Sequence, residues 1–341
     1  MNTNNIRLSV LDQSPVRKGI TAEQAVNETV ELAKHTDQLG YTRFWVSEHH
    51  NTGALAGSTP EVLMAHLAGQ TKNIRIGSGG VMMPNHSALK VAENFRMLEA
   101  LFPGRIDLGM GRAPGTDRLT AAMLNPSNQF REQDFVEQLY DLNNYFHDRG
   151  ELGTPQSKIR AIPQVQTVPA MWLLSSSGQS GVFAAHFGMG FSFAHFINPH
   201  GGPEAVAAYR ERFKPSENLL QPMANMAIFV FCSEDEQKLE QHQALMDYRF
   251  NQFEKGAGLA PVGYEDIKNV AYSPDEIERI MYNRKRVVTG TPVQMKTKLS
   301  QLAKDYNVDE IIAVTITEHF DDRLTSYKLL AEVFDIQPGE V

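Results

Sequence analysis

Apolar residues along the chain recur with two alternating periods: short apolar runs of the kind that form strands, then stretches spaced by three and four as on one face of a helix. Ile6–Asp12 reads as the first strand, and Thr21 with Gln24 makes a capping box that opens a helix carrying Ala22, Val26, Val30 and Ala33 on its apolar face. Phe44–Ser47 is the second strand, and Thr59 followed by Pro60 caps and starts a helix ending near Thr71. Ile74–Met82 is the third, followed by a helix with Val91, Phe95, Leu98 and Phe102 on one side, and Ile106–Gly109 is the fourth. Beyond it the spacing loosens. An amphipathic helix through Phe135, Leu139, Leu142 and Phe146 and a Pro-containing stretch, Glu151–Pro169, precede the fifth strand, Met171–Ser175. Gln179–Phe187 reads as helix, Gly190–Ala194 as the sixth strand, and a helix follows from about Gly202. Asn225–Cys232 is the seventh strand; Gly256–Gly263 and Gly290–Pro292 then bracket helical segments before the eighth, Glu310–Thr315, and a terminal helix to Phe334.

Eight strand–helix units in 341 residues with no internal linker predict one α/β domain over residues 1–341, a (β/α)8 TIM barrel with insertions after strands 4 and 7. A doubly wound open sheet is the competing arrangement. In a barrel, the residues that end strands converge on one mouth, so chemistry is sought there first.

Composition narrows the partners. Lys plus Arg total 32 against 40 for Asp plus Glu, a net charge of −8 with no basic run, which disfavours nucleic acid and anionic membrane as partners. The single cysteine, Cys232, excludes an intramolecular disulfide and a multi-cysteine metal site, and it reads as an inert buried thiol. Met1–Asn5 carries no basic leader and the longest apolar stretch, Met226–Cys232, is far too short to span a bilayer, so the expectation is a cytoplasmic protein.

The strand ends collect Asp12, Gln13 and Ser14; Glu48, His49 and His50; Gly79, Gly80 and Pro84; Arg112; and the run Ser175-Ser176-Ser177-Gly178-Gln179-Ser180. That run, small and hydroxylic between a strand and a helix, leaves backbone amides free at a helix N-terminus where Ser177 and Ser180 add hydroxyls; it suits a phosphate, and equally an ordinary Ser N-cap. Arg112, ending the neighbouring strand, would stand beside it with a fork of donors, or would serve as a surface salt-bridge arginine. Glu48-His49-His50 is not read as a metal site, because adjacent strand residues face opposite ways and no H-E-x-x-H spacing exists. One of the two histidines points into the mouth, as an acid/base or as a hydrogen-bonded structural residue. Gly109-Met110-Gly111 with Gly115 mimics a dinucleotide fingerprint at the wrong spacing, and Pro114-Gly115-Thr116-Asp117 reads as loop where that fingerprint opens a helix.

The segments Phe44–His50, Ile76–Pro84, Arg105–Arg112 and the serine run together resemble the bacterial luciferase-like monooxygenases, in the family's order and over almost the whole chain. The resemblance implies reduced FMN at the barrel mouth, its phosphate on Ser176, Ser177, Gly178, Gln179, Ser180 and Arg112 and its ring system on Gly79 and Gly80, where the family often has a non-prolyl cis peptide. It implies His49 as the catalytic histidine with Glu48 its neighbour, dioxygen as co-substrate, and a separate flavin reductase as electron source. The light-emitting enzyme has a reactive cysteine where this chain has Gly111, which argues against light emission. The expected activity is oxidation of a small apolar molecule; deazaflavin-dependent reduction and non-catalytic flavin binding are the alternatives within the fold. Specificity walls are expected in the stretches near Asn125–Val168 and Gly256–Tyr272. A homodimer is expected across the second and third helices, with Leu63, Met64 and Leu67 beside Val91 and Phe95 as its apolar surface.

Overall fold

The computed structural model describes residues 6–127, 129, 131–150, 155–258 and 260–337; the reading of Met1–Asn5 and the Glu151–Thr154 part of the predicted insertion lie outside them. Nine parallel strands form one sheet: β1 (Arg7–Asp12), β2 (Arg43–Val46), β3 (Arg75–Met82), β4 (Ile106–Gly111), β5 (Ala170–Ser175), β6 (Gly190–Ala194), β7 (Ala224–Cys232), β8 (Val287–Gly290) and β9 (Glu310–Val314). Eight of them close a barrel in the order β1 to β7 then β9, with β9 hydrogen-bonded to both β7 and β1. The (β/α)8 expectation therefore holds.

The extra strand is β8, in a stretch expected to be helical. Phe229 of β7 pairs with Val287 on one edge and Val314 on the other, so β8 lies opposite β9 and prolongs the edge that β6 leaves after Ala194. Four residues directly after a helix and a 3-10 turn give no alternation long enough to declare a strand.

Two apolar clusters reflect the alternation of side chains across a strand. Outward residues such as Leu8, Val10, Phe44 and Ile76 pack under the helices, while Leu11, Trp45, Trp172, Ala227 and Ile312 fill the barrel interior. Beneath that inner layer is a buried ionic plug. Arg43 donates to Glu310 Oε1 at 2.6 Å and to Asp107 Oδ2 at 2.8 Å, and Asp107 also accepts from Trp45 Nε1 at 2.9 Å and Arg75 Nε at 2.8 Å. Burial pushes the Asp107 carboxyl up, but the guanidiniums of Arg43 and Arg75 more than reverse this and hold it below the usual carboxylate range. The barrel is thus closed at its N-terminal end.

The stretch after β4 holds helices Arg118–Leu124 and Glu132–Phe146, and that after β7 holds Glu236–Glu254, Tyr264–Ile267 and Pro274–Asn283. Arg96, fully buried on the helix Ala88–Leu101, fixes the first of these stretches: its guanidinium donates to the carbonyls of Tyr145, Phe146 and Ala161, carbonyls at and beyond the helix end that lack intrahelical partners. The capping box of Thr21 and Gln24 is present, whereas Thr59 makes no side-chain cap. Met64, Leu67, Val91 and Phe95 are buried in this chain's own core and Leu63 is half-buried against it, so most of the apolar surface on which the homodimer expectation rested is internal; Val62, Met97 and Leu101 are the large apolar residues that those two helices expose. Cys232 is buried, and burial pushes its thiol up to about 12. Among the described residues no helix is long and apolar enough to cross a membrane.

Candidate active site

Two connected chambers open at the C-terminal end of the barrel and share Gln13, His49, Phe196 and Ile197. The deeper one, about 250 Å³, is lined by residues from the ends of β1 to β6, including Gly79, Gly80, Arg112, Ser176, Ser177 and Ser180. The outer one, about 530 Å³, is mostly apolar and is walled by Phe229, Met246, Phe250, Phe253 and Ile316.

At the end of β3 the Gly79–Gly80 peptide is cis, and the pairing with β4 slips between Gly79 and Val81. Side chains are excluded there by contact: a Cβ on Gly79 would stand 2.6 Å from Leu11 Cδ1, and one on Gly80 2.7 Å from the Gly109 carbonyl oxygen. Bare backbone consequently forms one wall of the deeper chamber. Gly109 and Gly111, which mimic a dinucleotide fingerprint, run within β4 itself and open no helix.

Two strands along, beyond β5, the helix Gln179–Phe187 begins after Gly178 with no side chain capping its first amides. Ser177 donates its N–H to Ser175 Oγ at 3.1 Å, and Asn198 Nδ2 donates to the Ser176 carbonyl at 3.0 Å, so the turn is held from both ends. Arg112 reaches across from β4 and donates through Nη1 to Gln179 Oε1 at 2.5 Å, with Glu132 Oε2 3.9 Å away. The uncapped amides, the serine hydroxyls and this partly exposed guanidinium converge on one end of the chamber, an arrangement suited to an anion. Gly178 and Gln179 do not themselves line it; Gln179 takes part through Arg112.

Of the three residues after β2, only His49 lines the chambers. Its Nδ1 shares a hydrogen bond with Ser47 Oγ at 3.1 Å, which leaves Nε2 without a partner among the described residues. Burial lowers its pKa below 6.5, Glu48 opposing, so the imidazole is neutral at pH 7. Glu48 is fully buried and lies outside both chambers. It accepts from His50 Nε2 at 2.8 Å, His86 Nε2 at 2.9 Å, the Met82 amide at 2.8 Å and Asn85 Nδ2 at 3.1 Å. Burial pushes its carboxyl up, yet these donors, His86 foremost, bring it below its usual value. Glu48 thus fastens the loop after β3 to the end of β2 and orients His49's neighbourhood. Asp12, the other strand-end carboxylate, is buried against Arg323 and also turned from the mouth. Among the described residues no cluster of His, Cys, Asp and Glu is arranged to hold a metal.

The outer chamber owes its wall to the helix Glu236–Glu254 more than to the expected stretches: Ala260 comes from Gly256–Tyr272, and no described residue of Asn125–Val168 lines it. The sequence reading missed its arginines, Arg17, Arg249 and Arg286. One signal existed, an arginine at position 249 in step with His242, Met246, Phe250 and Phe253 on one helix face.

Residues 6–306 match the luciferase-like monooxygenase family. The chain is 48% identical over 330 residues to the uncharacterized protein YwcH of Bacillus subtilis (96% of this chain, 99% of that one). It is 34% identical over 331 residues to the N-acetyl-S-alkylcysteine monooxygenase of the same organism (96% and 98%). Among solved structures, apo-MsnO8 superposes with a TM-score of 0.90 at 34% identity, covering 99% of this chain and 100% of that one. Two remoter structures share the fold: the oxygenating constituent of 3,6-diketocamphane monooxygenase from Pseudomonas putida, in complex with FMN (TM-score 0.71, 18% identity, 99% of each chain), and an F420-dependent secondary alcohol dehydrogenase (0.68, 11%, 98% and 100%).

Proposed function

The chain belongs to the luciferase-like monooxygenase family, and from that premise we propose that it is an FMN-dependent monooxygenase, using reduced FMN and dioxygen to oxidise a small, largely apolar molecule held beside His49. The observation that carries this reading is the deeper chamber, lined together by the bare backbone of Gly79–Gly80, by His49 and by an anion cradle of Arg112, Ser177 and Ser180. These residues fit FMN: the cradle suits a phosphate and the glycine wall suits a flat ring.

Arg112 and the first amides of the helix Gln179–Phe187 would hold the phosphate, and Ser176, Ser177 and Ser180 would border it. Gly79 and Gly80 would let backbone approach the ring system where a side chain has no room. The flavin, when bound, supplies electron transfer and the activation of dioxygen. His49, neutral and anchored through Nδ1, would offer Nε2 to hydrogen-bond or relay a proton at the reacting edge. The apolar outer chamber would take the substrate and keep water from the site.

A separate flavin reductase would provide the electrons, in a cytoplasmic setting where reduced flavin is available. Self-association through the exposed Val62, Met97 and Leu101 is part of the same proposal; a mass of 38.1 kDa by light scattering at micromolar concentration would overturn it. The activity is tested by oxygen consumption with enzymatically reduced FMN across aldehydes, ketones, aromatics and thioethers, N-acetyl-S-alkylcysteines included, beside spectral titrations with FMN and a 5-deazaflavin. Substrate-dependent uptake supports a monooxygenase. Preference for the deazaflavin would move the chain to the reductases, and FMN binding with no turnover would make it a flavin carrier.

A further inference from the structure

Among the described residues, three arginines and no aspartate or glutamate line the outer chamber, in a chain whose net charge is −8. Their circumstances differ. Arg17 is paired with Glu28 and donates to the Glu318 carbonyl at 2.7 Å. Arg286 donates to the Phe196 carbonyl at 2.7 Å and Asn283 Oδ1 at 3.1 Å, with its guanidinium 4.2 Å from the centre of the Phe250 ring. Arg249 makes no hydrogen bond and no ion pair with any described residue, and its Nη1 is buried without a partner.

A guanidinium set among apolar side chains without a counter-ion is a costly arrangement, because desolvation is not offset by any bond. Burial accordingly pulls Arg249 down to about 10, with the Glu318 carboxylate opposing although it makes no ion pair with it, and it still stays charged at neutral pH. An orphaned cation in a ligand-sized chamber implies that the missing anion arrives with the ligand. Arg17 is already neutralised by Glu28, and Arg286 spends Nε and Nη1 on the Phe196 carbonyl and Asn283, which leaves Arg249 as the guanidinium of the three with its whole fork free for a carboxylate.

Deepening the monooxygenase reading, on which it rests, we propose that the substrate is an apolar molecule bearing one carboxylate, which Arg249 binds while the hydrocarbon or thioether body lies along Phe250, Phe253 and Ile316 and its far end reaches His49. Arg249 is then the residue that sets substrate orientation in the outer chamber.

Calorimetric titration of the flavin-free protein with octanoate and with 1-octanol tests this without turnover. Octanoate is expected to bind roughly tenfold or more tightly than 1-octanol, the worth of one charge-assisted bond. Arg249→Gln should abolish that preference, Arg249→Lys should keep part of it, and Arg112→Ala should leave it intact. Arg249→Leu should raise the melting temperature of the ligand-free protein, since it removes an unpaired buried charge, whereas a structural arginine would lower it. Equal binding of the two probes, a preference unchanged in Arg249→Gln, or a lowered melting temperature in Arg249→Leu overturns the proposal. An FMN titration on the same preparations separates the two readings: loss of FMN affinity in Arg249→Gln with octanoate preference unchanged would assign Arg249 to the cofactor, and failure of the wild type to bind FMN would sink the flavin reading alone.

Discussion

His86 Nε2 donates to both oxygens of Glu48, at 2.9 and 3.0 Å, and so ties the loop after β3 to the last turn of chain before His49. Glu48→Gln removes the charge that four donors converge on, and is expected to cost about 2–4 kcal/mol in urea unfolding. The pH dependence follows from the two shifts. Burial lowers His86, but its bond to Glu48 outweighs this and raises it above 6.5; that contribution is complete below 6.5 and is lost as pH rises through the raised value. Glu48 is depressed, so its own contribution is lost only in acid, as pH falls through the lowered value. The stability gap between the wild type and His86→Gln should therefore be wider at pH 5.5 than at pH 8.5. A constant gap would show that the pair does not act as an ion pair.

His49 and His50 are adjacent and differently employed: His49 lines both chambers, while His50 is bonded to Glu48. His49→Ala should keep FMN affinity within a few-fold and lower substrate oxidation roughly 10²-fold, the usual share of an acid/base group. His50→Ala should act through stability. Because burial holds His49 below 6.5, kcat/KM should be flat from pH 7 to 8 and fall in acid as the imidazole gains a proton. Full turnover in both variants, or an effect confined to His50, would contradict the assignment.

Asp107 holds Arg43, Arg75 and Trp45 together at the closed end of the barrel. Asp107→Asn leaves buried guanidinium without its carboxylate and is expected to cost about 3–5 kcal/mol in chemical denaturation. A change under about 1 kcal/mol would mean that the plug relaxes around the amide.

Local patterns made most of the barrel legible. Runs such as Met171–Ser175 and signals such as the Thr21–Gln24 box depend on neighbours in sequence, and strands and helix starts appear where they point. Elements whose shape is decided by distant partners were not legible. Val287–Gly290 is a strand only because β7 continues past β6, and the short helix Arg118–Leu124, capped by Asp117, follows directly on the loop that glycine and proline did signal. Burial misled in a parallel way: Met64 and Val91 look like surplus apolar surface until the barrel packs against them. At the mouth, strand-end positions could be collected from sequence, but not that Glu48 would be consumed by donors from residues 82 to 86 or that Arg249 would be left alone.

The central claim is that the deeper chamber takes FMN with its phosphate on Arg112 and the helix Gln179–Phe187. Titrating FMN and riboflavin, which differ only by the phosphate, into the wild type and Arg112→Ala tests it most directly by fluorescence quenching. FMN should bind the wild type more tightly than riboflavin, and Arg112→Ala should weaken FMN by roughly 1.5–3 kcal/mol, a charge-assisted hydrogen bond, while leaving riboflavin unchanged. Equal loss for both flavins, or no loss for either, would contradict it.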